Sequence, residues 1–480
     1  MKFRNNIKYY IGAAVILFAS CKKELQLAPT DQIDQSKAFQ SISDIQLGLN
    51  GAYGNFKTYS NDMYVNSLLS DEAKIGADNA GQGLITYRFQ YGADGTSGGD
   101  VIAAWGGYYG LIDQVNRTLA YVDKVPSANA GEEARRPILK GQLLALRAMG
   151  HLQLLQSYAK KYDATDVLGI PIMLQSNLLG QPARNKVSDV VAQIQKDFTD
   201  AKALLPAVTV SSFSDTVMNQ INITAYQARL AAYMGDWANA ITYANTVINS
   251  TVKPLVTGTA FTGIWTDANT NETLFRIRYA GATDGSLGGL YTTTQGLVYI
   301  APSNKLRASY GATDIRLGAY IGLGTGASGN GVGSGKYFVN KFWSSSKGAT
   351  ILDMKACRIS EMYLIRAEAY AKQATPDLTS GAADLNALRA QRIPGYVNQT
   401  YTDAPTLIAD IATERFKELA FEGFRFFDLK RTGSAVQRLA TDVDSPTWQT
   451  LAAGSYLFAL PIPQSELLAN KNMVQNPGGY

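Results

Sequence analysis

Three stretches of this chain place reactive residue types at spacings that chemistry uses. Gly95-Thr96-Ser97-Gly98-Gly99 fits G-x-S-x-G, the pattern that sets a nucleophilic serine on a sharp turn between a strand and a helix. Such a serine needs a base, and the single histidine, His151, lies in a leucine-rich stretch with helical period. Arg88 to Asp94, ahead of the serine, is too polar for a buried central strand, so the pattern reads as a glycine loop. Gly329 to Tyr337 (GNGVGSGKY) approaches a phosphate loop and fails it twice. Asn330 stands where a glycine is required, and Tyr337 replaces the hydroxyl residue that would reach magnesium. Glu414, Glu418 and Glu422 lie four apart on one helical face, close enough for a carboxylate pair of the glycosidase kind. Arg415, Lys417, Arg425, Lys430 and Arg431 surround them, and catalytic carboxylates come from separate elements on either side of a substrate. This stripe reads as structural ion pairs. The expectation is a protein without a catalytic site.

The elements that would hold these residues are mostly helical. Ser43 to Tyr59 has Ile45, Leu49 and Tyr53 at fourfold spacing. Val101 to Lys124 and Ile138 to Tyr158 are apolar-periodic, the second starting where Pro137 is tolerated at a helix start. Val190 to Leu205 follows, and Thr224 to Val247 reads as two helices broken at Gly235-Asp236, a left-handed cap and then an N-cap. Ala228, Ala232, Ala240 and Ala244 give those two helices small facing surfaces, as in a tetratricopeptide hairpin. Ile359 to Ala371 and Ala382 to Arg392 form another pair, with Glu368 and Lys372 matched at i,i+4. Asn79 to Asp100 is glycine-rich and reads as a long exposed loop. From Thr251 to Thr350 glycine and threonine dominate, with short β-like runs at Leu274 to Tyr279 and Tyr337 to Trp343.

Composition excludes several classes. The chain has 480 residues, 46% hydrophobic and 17% charged, an ordinary globular balance. Its net charge is +5, and three of the cations, Lys2, Arg4 and Lys8, lie at the extreme N-terminus. A nearly neutral remainder has no electrostatic footprint for nucleic acid. One histidine and two cysteines cannot supply a zinc site, so no metal and no cofactor is expected. Calcium bound by oxygen ligands alone stays open, although there is no EF-hand-like loop. Tyrosine is abundant, with 27 residues against 17 Phe and 5 Trp, and its flat ring and hydroxyl suit contact with sugars or peptides.

The N-terminus reads as an export signal. Lys2, Arg4 and Lys8 form a basic region, Ile11 to Ala19 is an unbroken apolar run, and Ser20-Cys21 follows. A spanning helix needs roughly 20 apolar residues, more than this run supplies. The small residue before Cys21 resembles a lipobox, with Phe18 where Leu is more usual, and makes Cys21 the expected lipidated N-terminus of the mature chain.

Three later segments carry a family resemblance. Arg358 to Ala371 (RISEMYLIRAEAYA), Glu414 to Arg431 (ERFKELAFEGFRFFDLKR) and Leu460 to Tyr480 (LPIPQSELLANKNMVQNPGGY), in this order, resemble the SusD/RagB family of nutrient-binding surface lipoproteins. Gly169 to Ile172 and Arg184 to Leu205 track the same family. The resemblance implies a mainly α fold, a tetratricopeptide-like hairpin scaffold carrying an irregular, loop-rich ligand region. It divides the chain into a signal (1–20), an N-terminal helical region (21–250) and a C-terminal SusD/RagB region (251–480). It further implies a lipid-anchored, surface-exposed protein at the outer membrane, partnering a SusC-like TonB-dependent barrel that imports the ligand. That ligand is an oligosaccharide in the leading reading and a peptide, as for RagB-type relatives, in the alternative. Family members bind sugars through loops, so the expected ligand surface joins Asn79–Asp100 to Tyr291–Trp343. Within it Tyr91, Tyr291 and Trp343 are the expected stacking faces, with Asp78 and Arg88 as groups for sugar hydroxyls.

Overall fold

The computed structural model describes residues 35–177 and 179–480, so the expected signal, the tether and Cys21 lie outside the described residues. About 52% of the chain is helical. The longer helices are α1 (Ile42–Asn55), α2 (Tyr59–Leu69), α3 (Gly99–Val122), α4 (Ala130–Tyr158), α5 (Val187–Leu204), α6 (Gln220–Met234), α7 (Trp237–Asn249), α8 (Ile359–Lys372), α9 (Leu378–Arg392), α10 (Ala404–Glu418) and α11 (Arg425–Thr432). Helix α3 packs on α4, α4 on α5, α6 on α7 and α8 on α9, and α7 packs on α8 to join the two halves. The mainly α, hairpin-based expectation is what the structure shows.

Local chemistry sets the helix ends. Gly235 adopts φ 71°, a left-handed cap that a Cβ would disfavour, and Asp236 then accepts from the Asn239 amide at 3.2 Å. Ala228, Ala240 and Ala244 are fully buried at that hairpin, where small side chains let the helices approach closely. Helix α4 differs from expectation. It begins at Ala130 rather than beside Pro137, because Asn129 caps it by accepting from the Glu132 amide at 3.0 Å. Pro137 therefore sits inside the helix, where it removes one intrahelical hydrogen bond. From Gly141 to Tyr158 this helix is buried on every side, so it is the axis around which the hairpins pack.

The irregular half is stitched by short two-stranded pairs. Strand β1 (Ala73–Ile75) pairs antiparallel with β3 (Ile300–Pro302), β2 (Thr273–Ile277) with β6 (Met354–Arg358), and β4 (Ile321–Leu323) with β5 (Tyr337–Val339). One cluster of buried apolar side chains runs from Ile42 to Met473, so the two expected regions share a core. Among the described residues no helix is long and apolar enough to cross a membrane, and no group of three or more His, Cys, Asp or Glu could hold a metal ion.

Candidate functional site

The two segments expected to form the ligand surface do meet. The Gly76 amide donates to Tyr299 O at 2.8 Å and the Asp78 amide to Val298 O at 3.0 Å, continuing the β1–β3 pairing outward. Gly76 is required there, since a Cβ would stand 2.2 Å from Val298 O. The Asp78 carboxylate accepts from the Val298 amide at 2.9 Å and from Lys336 Nζ at 2.5 Å. The Lys336 hydrogen bond and the Val298 amide hold its pKa below the usual aspartate value. Asn79 clamps the turn by donating to Tyr299 O at 3.0 Å.

Lys336 neighbours Tyr337, the residue that spoils the phosphate-loop pattern. Tyr337 is 36% exposed and pairs across β4–β5 with Leu323, 48% exposed. The Arg307 guanidinium lies 4.1 Å from the Tyr337 ring centroid. Contacts continue from Arg307 to Asn304 (3.2 Å) and from the Asn304 amide to Asp442 (2.7 Å). Two residues along the chain, Asp444 accepts from Arg88 Nη2 at 2.5 Å, and the Arg88 guanidinium is 6.0 Å from the Trp448 ring. Arg88 Nε has no hydrogen-bond partner among the described residues. The accessible groups along these contacts are Tyr337 and Leu323, the carboxylates of Asp78 and Asp444, two arginines and a lysine. Flat rings flanked by polar groups that can exchange partners are what a saccharide requires.

The three expected stacking aromatics are not on it. Tyr291 is fully buried, with its hydroxyl 3.2 Å from Ser67 Oγ and its ring edge-on to Tyr64 and Phe421. Trp343 donates Nε1–H to Asn330 O at 3.1 Å and packs edge-on against Phe338. Tyr91 is buried, donates to Leu457 O and stacks on Tyr480. Each ring spends its apolar area on the core and its polar atom on a backbone carbonyl or hydroxyl, so none has a face left for a ligand. The stretch Asn79–Asp100 is correspondingly less open than its composition suggests. It contains the turn Leu84–Tyr87, and Tyr87 is buried with its hydroxyl on Asp442 O at 2.6 Å. Sequence reasoning passed over Tyr337, Arg307, Lys336 and Trp448. Along Tyr337–Val339 the tyrosine is out while Phe338 and Val339 are both buried, so no alternation in the sequence singles out the tyrosine.

The decoy motifs resolve into structure. Asp94 accepts from the Thr96 and Ser97 amides at 2.8 and 2.9 Å and from the Ser97 hydroxyl, and those bonds hold its pKa at about 2. His151 is fully buried, accepting from the Met173 amide at Nε2 (3.1 Å) with Nδ1 3.0 Å from Arg147 O, and burial pushes its pKa down to about 3. Asn330 ties its own loop by accepting from the Thr325 amide and donating to Leu323 O.

Glu414, Glu418 and Glu422 lie in a buried ion network. Glu414 pairs with Arg316 (2.5 Å) and Arg389 (2.7 Å), Glu418 with Arg316, Arg358 and Arg392 (2.9–3.0 Å), and Glu422 with Arg358 and Lys341 (2.7 Å each). Burial alone would raise these carboxyls, but the arginines outweigh it and hold all three below the usual glutamate value. The stripe is structural, as the sequence suggested, but its cations come from elsewhere in the fold: of the neighbouring ones, Arg415 and Arg431 pair with Asp428, Lys417 with Asp314 and Arg425 with Asp71.

A family model described as "SusD family" matches residues 264–480, and one described as "Starch-binding associating with outer membrane" matches residues 28–233. The chain belongs to the SusD/RagB family. It is 24% identical to SusD-like protein P2 of Formosa agariphila, over 98% of this chain and 100% of that protein. Its fold is shared with a SusD superfamily protein from Bacteroides thetaiotaomicron (TM-score 0.79, 23% identity, 91% of this chain and 100% of that one). A laminarin-binding SusD-like protein also superposes (TM-score 0.70, 20% identity, 92% of this chain and 100% of that one). The family description places SusD/RagB proteins in carbohydrate binding and in association with the outer membrane.

Proposed function

We propose that this SusD/RagB protein captures an oligosaccharide on the face around Asp78, Arg88, Arg307, Lys336 and Tyr337 and passes it to a TonB-dependent, SusC-like barrel, acting by binding alone. The observation that carries the reading is the Tyr337–Leu323 pair beside Arg307 and the Asp78–Lys336 bridge, an apolar platform edged by exchangeable polar groups. The laminarin-binding relative of the same fold supports a glycan as the ligand class. A lipidated Cys21 would hold the protein at the membrane, since several acyl chains make attachment effectively stable.

Calorimetric titration of the mature protein with a panel of neutral oligosaccharides and unstructured peptides tests the class. A saccharide binds, and Tyr337→Ala weakens it about tenfold, as expected for one lost stacking contact. Binding of peptides alone, or full saccharide affinity in Tyr337→Ala, refutes the reading. Cys21→Ala abolishes acyl labelling and releases the protein from the membrane fraction; retained labelling rules out the anchor.

A further inference from the structure

A cavity of about 480 Å³ opens beside the C-terminal half of α11, walled by α10, the end of α8 and the short helix Asn304–Ser309. It is lined by five cations, Lys305, Lys372, Arg415, Arg425 and Arg431, against three carboxylates, Asp71, Glu368 and Asp428. Those carboxylates are already taken. Asp71 receives Arg425 (2.7 and 2.9 Å) and Lys305 (2.7 Å), and Glu368 receives Arg431 and Lys372 at 2.7 Å. Asp428 receives Arg415 (2.9 and 3.1 Å) and Arg431 (2.7 Å). What remains is donor capacity without an acceptor. The Arg415 side chain is only 4% exposed, and its Nη1 has no hydrogen-bond partner among the described residues. Buried polar groups are ordinarily satisfied, and a surplus of cations at a partly enclosed site favours an anion. The hydroxyls of Ser309, Thr413 and Thr432 around the same space donate to the backbone carbonyls of Leu306, Ala409 and Asp428, so the donors left for a ligand are those of the cations.

We propose that this cavity is a second binding site, distinct from the loop face, for a small ligand bearing an oxyanion, a carboxylate or a sulfate- or phosphate-type group. An oxyanion completes the hydrogen bonding of the arginine fork, which matches planar and tetrahedral oxygen sets bidentately. The volume lies within the range of about 300–1,000 Å³ typical of small-molecule sites. The short helix Asn304–Ser309 stands between the two sites, with Arg307 over Tyr337 on the loop face and Lys305 on Asp71 in the cavity. The cavity site stands on its own residues and does not require that the loop face bind a sugar.

The test titrates the full mature chain at constant ionic strength with glucuronate, inorganic sulfate and inorganic phosphate, with glucose as the uncharged control. Ala412, on the solvent side of α10 and lining the cavity, allows a variant that keeps the core intact: Ala412→Glu puts a carboxylate at the mouth. Lys372→Gln removes a rim cation whose side chain is 23% exposed. The expected result is binding of at least one oxyanion and none of glucose, weakened about tenfold or more by each variant, as for the loss or reversal of a charge contact in a partly desolvated site. Glucuronate alone binding identifies a sugar carboxylate, and sulfate or phosphate binding identifies the inorganic-type group; either supports the site. Neutral-saccharide binding on the loop face stays unchanged in Ala412→Glu, so the two readings fail separately. The proposal is overturned if no oxyanion binds more tightly than chloride. It is equally overturned if glucose displaces the bound oxyanion as well as glucuronate does, or if oxyanion affinity is undiminished in both variants, which leaves a water-filled cleft among structural ion pairs.

Discussion

Glu418 and Asp78 are both carboxylates held by cations, yet they serve the molecule in opposite ways. Glu418 is fully buried and shares its oxygens among Arg316, Arg358 and Arg392. Asp78 is part-exposed and meets one lysine, Lys336, whose side chain is 32% exposed. A saturated interior carboxylate cannot give up a partner without stranding buried charge. A rim pair can, because an exposed ion pair is worth only about 0–1 kcal/mol and opens readily to a ligand. The saturated charge around Glu418 therefore belongs to the scaffold, and the part-exposed Asp78–Lys336 pair lies where sugar binding is proposed.

The largest effect should come from the interior. Glu418→Ala takes the shared carboxylate from three buried guanidinium groups, leaving Arg392 with Glu272 alone among the described residues, and should cost about 3–5 kcal/mol in chemical denaturation, the range for breaking a buried ion pair. A loss under about 1 kcal/mol, typical of surface pairs, would erase the distinction. Because the arginines hold Glu418 below its ordinary value of 4.5, its contribution is fully present above that value. It should drain away as pH falls beneath it.

Asp62 sharpens the comparison, since it is buried with a tyrosine hydroxyl, that of Tyr108, in place of a cation. Burial pushes its pKa from 3.8 up to about 7. The folded state then holds the proton more tightly than the unfolded state, so this group's contribution is full below about pH 4 and is lost as pH rises toward about 7. Asp62→Asn removes that slope and keeps an acceptor for Tyr108. Thermal melts should show the variant gaining on the order of 4 kcal/mol over wild type at pH 8 and little at pH 4. Equal differences at both pH values would contradict the buried-carboxylate assignment.

The smallest effect on stability belongs to the loop face. Asp78→Asn should lower unfolding free energy by less than about 1 kcal/mol, as for an exposed pair, while changing saccharide affinity. A stability loss as large as that of Glu418→Ala, with affinity intact, would move Asp78 into the scaffold.

Much of the helical half was legible in the chain. The Gly235-Asp236 break, the Ala228–Ala244 packing surface and the 414–418–422 stripe follow from local period and cap chemistry, and all three stand in the structure. The start of α4 was misjudged because the Asn129 cap outweighs the weaker signal of Pro137. The aromatic platform was misplaced for a different reason. Tyr91, Tyr291 and Trp343 sit in glycine-rich, loop-like sequence, and nothing local tells whether a ring in such a segment turns inward.

The sequence by itself determined the family, the helical hairpins and the structural nature of the glutamate stripe, because repeating periods, caps and ordered motifs are written in neighbouring residues. Only the tertiary structure decided which aromatics reach solvent. That outcome depends on contacts between residues hundreds of positions apart: Tyr91 with Leu457, Tyr87 with Asp442, and Tyr291 with Ser67. A tyrosine ring gains more from burial with its hydroxyl satisfied than from exposure, so each partner found across the fold drew one ring inward. Tyr337, paired across β4–β5 with another half-exposed side chain, was left outside.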